Sequence, residues 1–94
     1  MQFISLSRRR TEQFSGSAFA ELAPHEAERV KALYGSGILR NIWRRGDMGG
    51  AVILWEAAAE DEVREAIASL PIFQAGMLEI VAIVPLEPYP GFST

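Results

Sequence analysis

Ala51-Val52-Ile53-Leu54-Trp55 is the stretch that decides the fold. Its five residues are apolar without alternation, so a strand made from them has to be covered on both faces. Ile80-Val81-Ala82-Ile83-Val84 repeats the pattern further along. On the N-terminal side of the first run, Gly46-Asp47-Met48-Gly49-Gly50 has hairpin-turn composition, and Ile38 to Arg45 pairs across it as a second strand. Phe3, Ile4 and Leu6 open another strand that ends in Arg8-Arg9-Arg10, and Met77 to Leu86 forms the last. Thr11 to Ser17 is polar and reads as a loop.

Two segments carry helical spacing. Phe19 to Tyr34 is stopped by Gly35 and Gly37. Pro24 divides it: either the main helix begins there, with proline in its first turn, or an earlier turn is kinked. Glu60 to Leu70 sets Val63, Ile67 and Leu70 on one face and ends at Pro71. Glu87 to Phe92 is a Pro-containing tail with no regular period. The order is β-α-β-β-α-β, which predicts an α+β, ferredoxin-like split βαβ: a four-stranded antiparallel sheet with both helices on one face, as one domain over residues 1–94. Helices on one face leave the second face of the apolar strands open. A second copy packed sheet against sheet is the economical cover, so a homodimer or higher homo-oligomer is expected.

Composition narrows the partners. The 94 residues are 49% hydrophobic and 22% charged, with a net charge of -3. That balance suits a globular domain and lacks the basic stripe of a nucleic-acid surface. No apolar stretch approaches a membrane span. The N-terminus lacks the long apolar run of a signal peptide, so a cytoplasmic protein is expected. The sequence has no cysteine and a single histidine, His25, which leaves no thiolate chemistry and too few His or Cys ligands for a zinc site.

Glu26 is the most informative polar residue. At about 100° per residue, Ala27, Val30, Leu33 and Tyr34 share one helix face, and Glu26 falls within that stripe. A carboxylate turned toward a core is costly unless paired or protonated, and desolvation raises its pKa toward the range of a general acid or base. The alternatives are a partly exposed stripe-edge residue or a structural partner for an arginine. Alternation places Arg40, Ile42 and Arg44 on one face of the second strand, and Leu39, Asn41, Trp43 and Arg45 on the other. Arg44 would bind a substrate carboxylate or enolate, or pair with Glu26. Arg8, Arg9 and Arg10 read as surface charge. Tyr34, Arg40, Trp43, Trp55 and Phe73 are the candidates to contact a substrate, with core or interface packing the other role open to the aromatics.

From Glu26 onward the chain resembles the muconolactone isomerase family. A helix with a central glutamate leads through glycine into Leu39-Arg40-Asn41-Ile42-Trp43-Arg44, similar to the family's leucine-tryptophan-arginine strand. Leu70-Pro71-Ile72-Phe73 resembles its LPLF segment, and Val84-Pro85-Leu86 its closing strand. The resemblance implies a dimeric α+β barrel with a cofactor-free pocket between helix and sheet, Glu26 as the helix carboxylate and Arg44 as the strand arginine. It implies a proton shift within a small oxygenated molecule such as a lactone, by an isomerase or a related lyase or cyclase. Where the family's hairpin carries histidine, tyrosine and asparagine, this chain has Met48, Gly49 and Ala51. A non-catalytic small-molecule-binding or structural dimer, and a cofactor-independent oxygenase, are the alternatives on the same fold.

Overall fold

A computed structural model describes residues 1–92. Strand β1 (Gln2–Arg9) leads to helix α1 (Gly16–Gly35), strands β2 (Leu39–Arg44) and β3 (Ala51–Glu56), helix α2 (Glu60–Ala68), a single turn α3 (Pro71–Gln74) and strand β4 (Leu78–Leu86). The sheet is antiparallel throughout, in the order β2-β3-β1-β4. This is the ferredoxin-like arrangement, with the first and third strands central.

Helix α1 starts earlier than its hydrophobic pattern suggests. Ser15 caps it, its hydroxyl accepting from the Ala18 amide at 3.3 Å, so Gly16 and Ser17 are helical rather than loop. The helix runs on through Pro24. A proline there forgoes the bond to the Ala20 carbonyl; Ala20 and Pro24 are both exposed, where water can take that bond. Helix α2 has no side-chain cap, but Glu60, Asp61 and Glu62 occupy its first turn, where the helix dipole favours acids. Pro71 does more than stop α2. It is the first residue of α3, the position that wastes no amide.

The registers assign the two faces of the sheet. Phe3 pairs with Trp55 and Ser5 with Ile53, and these side chains meet the helices. Phe3, Leu39, Ile53 and Trp55 form one core with Leu33 of α1 and Val63, Ala66 and Ile67 of α2. A smaller cluster joins Phe19, Ile72, Met77 and Leu78 where α1 begins, α3 turns and β4 enters. The opposite face carries Ile4, Leu6, Val52, Leu54, Ala82 and Val84, and no helix among the described residues lies over it. Val84 is 46% exposed there.

Strict alternation fails at two places. A register shift between Leu39 and Asn41 makes Arg40 the extra residue of a bulge. Leu39 therefore shares the helix-side face with Ile42 and Arg44, not the outer face with Asn41 and Trp43. A second shift between Leu6 and Ser7 leaves Val81 without a partner on β1.

Candidate functional site

A cavity of about 130 Å³ lies between α1 and the sheet, in the space between the two hydrophobic clusters. Val30, Ile53, Ile67, Leu70, Leu78 and Ile80 give it apolar walls. The polar groups that reach it are few: Ser5, Ser7, Arg9, Glu26 and Arg44. A dry cavity of about 150 Å³ takes a benzene ring, so this one suits a single small ring.

Glu26 comes from the middle of α1 and is half-buried. Its Oε1 accepts from the Ile72 amide at 3.1 Å. That amide belongs to the first turn of α3, which has no intrahelical acceptor, so the carboxylate caps the turn. The chain thus ties Glu26 to the Leu70-Pro71-Ile72-Phe73 segment: proline starts the turn and glutamate accepts its amide. Oε2 makes no hydrogen bond to the described residues. Burial pushes the Glu26 carboxyl above its ordinary range, and the Ile72 amide and the Arg9 charge pull less strongly the other way.

Arg9, not Arg44, is the cation whose charge reaches Glu26. Arg9 ends β1, its guanidinium carbon 5.0 Å from the centre of the Phe19 ring. Its amide donates to the Gly49 carbonyl at 3.0 Å. A Cβ on Gly49 would sit 3.1 Å from the Arg9 side chain, so the glycine gives that side chain its bed. Gly50 is held at φ +140°, and a Cβ there would fall 2.1 Å from the Ser7 carbonyl oxygen. The two glycines let the hairpin close on the end of β1. Arg9 and Arg44 then stand together at the cavity's mouth, beside the hairpin. Neither forms an ion pair with the described residues. Arg45 is committed elsewhere, to Asp47 at 2.8 Å and to the Ser7 carbonyl at 3.3 Å.

Of the residues singled out from the sequence, the structure brings Glu26 and Arg44 to one cavity. Trp43 borders it as well, although pairing with Val52 sets its side chain on the outer face. The other four stand apart from it. Trp55 is 0% exposed in the core, where its indole donates to Ser5. Phe73 packs between the two clusters. Tyr34 is 61% exposed and, with Arg40, borders a separate groove on the far side of Val30. The bulge at Arg40 is the reason that arginine leaves the row of Ile42 and Arg44. Sequence reasoning missed Arg9, Ser5 and Ser7. The one available signal was the alternation of Phe3, Ser5 and Ser7, which puts two hydroxyls on the face that carries a core phenylalanine.

The model of the muconolactone delta-isomerase family matches residues 3–91. No curated protein matches the chain. Among solved structures, one that is similar is 5-chloro-2-hydroxyhydroquinone dehydrochlorinase (TftG) from Burkholderia phenoliruptrix, in complex with 2,5-dihydroxybenzoquinone. The two share 19% identity over 89% of each chain, with a TM-score of 0.66, a likeness of fold. With the family match running from β1 into the tail, the chain belongs to the muconolactone delta-isomerase family.

Proposed function

We propose that the protein is a cofactor-free catalyst that shifts a proton within a small oxygenated ring, such as an unsaturated lactone, held in the cavity under α1. The observation that carries this reading is Glu26: a carboxyl raised by burial, with one oxygen held by the Ile72 amide and the other unengaged, on the wall of an apolar, ring-sized cavity. That is the environment of a general base.

In the reaction, ionised Glu26 takes a proton from a ring carbon next to a carbonyl. The C–H electron pair moves into the conjugated system and leaves negative charge on the carbonyl oxygen. The carboxyl, now protonated, returns the proton to the far carbon of that system, so a double bond has moved and nothing is oxidised or reduced. Arg44 and Arg9 at the mouth stabilise the developing oxyanion or an anionic substituent. The Ile72 amide fixes the carboxyl's orientation through Oε1. The same first step ends in an elimination when a leaving group sits beside the carbanion; the relative solved with a dihydroxybenzoquinone is described as a dehydrochlorinase. A panel of unsaturated lactones and ketones tests the reading. The parent should isomerise at least one, with the activity lost in Glu26→Gln and in the cavity-filling Val30→Phe. A Val30→Phe protein as active as the parent would place the chemistry elsewhere.

We propose further that the working form is a homodimer. Ile4, Leu6, Val52, Leu54 and Val84 give the outer face an apolar surface that no element of the described residues covers, and a second sheet is the cover that fits it.

A further inference from the structure

Ser5 and Ser7 lie two positions apart on the helix-side face of β1, 2% and 6% exposed, and both line the cavity. Their hydrogen bonding differs. Ser7 Oγ accepts from the Ala51 amide at 3.1 Å and donates to the Ala51 carbonyl at 3.3 Å. Its capacity is used in holding β3 against β1. Ser5 Oγ accepts from Trp55 Nε1 at 2.9 Å, and this is its only hydrogen bond among the described residues. The Ser5 proton has no acceptor among the described residues.

The indole fixes where that proton can go. Trp55 is wholly buried on the core side of Ser5, so the hydroxyl has to turn its hydrogen away from it. The β1 backbone around Ser5 is committed to the ladders with β3 and β4. Ile53 and Ile80, the apolar neighbours along the cavity's sheet side, offer no side-chain acceptor. The cavity is what remains. A hydroxyl that accepts from an N–H is also a better donor, because the two bonds polarise each other. A buried donor without an acceptor is costly, and a ligand oxygen that meets it recovers that cost.

We infer that Ser5 is the hydrogen-bond donor that reads a neutral oxygen, a carbonyl or ring ether, on the molecule held in the cavity. The inference rests on the reading of that cavity as a site for an oxygenated ring. It adds a second point of attachment: Arg9 and Arg44 grip an anionic group at the mouth, and Ser5 takes an acceptor oxygen at the sheet floor. Two points set the ring's orientation under Glu26.

Paired probes of equal size test this. The 3- and 4-formylbenzoates carry the anion and the acceptor oxygen; the matching vinylbenzoates keep shape and charge but lack the oxygen. The parent should bind a formylbenzoate about ten-fold more tightly than its vinyl partner, the scale of one well-placed neutral hydrogen bond. Ser5→Ala should erase that preference and leave vinylbenzoate affinity unchanged. The bound aldehyde's C=O stretch should lie at lower frequency in the parent and return in Ser5→Ala. Because Ser5→Ala also orphans the Trp55 indole, the same comparison is made in a Trp55→Phe background, where the added Ser5→Ala must cause the same loss. An unchanged formyl-to-vinyl ratio in both backgrounds overturns the role of Ser5 and leaves the cavity reading standing. Binding of neither probe by the parent overturns the cavity reading, and this inference with it.

Discussion

Glu26→Gln and Glu26→Leu should move stability in different ways, and the contrast tests the description of the carboxyl as a half-buried cap with no ion pair among the described residues. Gln keeps an oxygen for the Ile72 amide and removes a charge that burial disfavours. Leu removes the acceptor and leaves that amide unsatisfied, a loss of about 1–3 kcal/mol. In a domain of this size each kcal/mol is about 4–8 °C in Tm. At pH 7 Gln should therefore melt at or above the parent, within about 1 kcal/mol, and Leu clearly below both. The pH dependence has a definite sign. A carboxyl whose folded pKa is raised holds more protons folded than unfolded, so the stability that Glu26 itself contributes is fully present below the ordinary value of 4.5. That contribution is lost as pH rises from there through the raised value. Gln lacks this dependence, so its advantage over the parent should grow across that window and then level off. Thermal melts from pH 4 to pH 8 read both effects. A Gln variant destabilised by about 3–5 kcal/mol at pH 7, the scale of a broken buried ion pair, would refute the reasoning, because it would mean that an arginine holds the carboxylate.

Other changes have equally definite outcomes. Arg44→Met should stay within about 0.5 kcal/mol of the parent, since an exposed arginine with no ion pair among the described residues is structurally cheap. It should weaken the binding of an anionic ring about ten-fold, measured by calorimetry. Gly50→Ala should cost at least about 2 kcal/mol in a melt, because it strains φ and drives a methyl into the Ser7 carbonyl. Val84→Glu should leave the fold intact and turn a dimer into a monomer by sedimentation; a parent that is monomeric at micromolar concentration would count against the paired sheets.

Much of the architecture could be read from the pattern of apolar residues. Ala51 to Trp55 is apolar on both faces, and the structure sets it next to β1 inside the sheet, with Ile53 and Trp55 under the helices and Val52 and Leu54 outside. Glu26 stood out because it interrupts a helical stripe, and it lines the cavity. The features that stayed hidden are those for which local pattern has no marker. A bulge at Arg40 breaks the period of two, so alternation assigned Leu39 to the wrong face. Pro24 reads as either a helix start or a kink within a longer helix; the helix runs through it, with both it and Ala20 exposed. The turn α3 is too short to show a period, and its cap comes from a residue 46 positions away. Arg9 looked like one of three surface charges. In the fold it lines the cavity with Glu26, its side chain bedded against Gly49 of the hairpin.

Deuterium incorporation tests the central claim most directly. A conjugated five-membered lactone is incubated with the protein in D₂O, and the ring positions next to and conjugated with the carbonyl are followed by proton NMR. Exchange requires only that a base remove a proton and return a deuteron, so it reports the Glu26 step even when the double bond's net position does not change. The parent should exchange these positions well above the buffer rate, Glu26→Gln should fall to that rate, and Arg44→Met should lie between them. Exchange by Glu26→Gln as fast as by the parent would contradict the account.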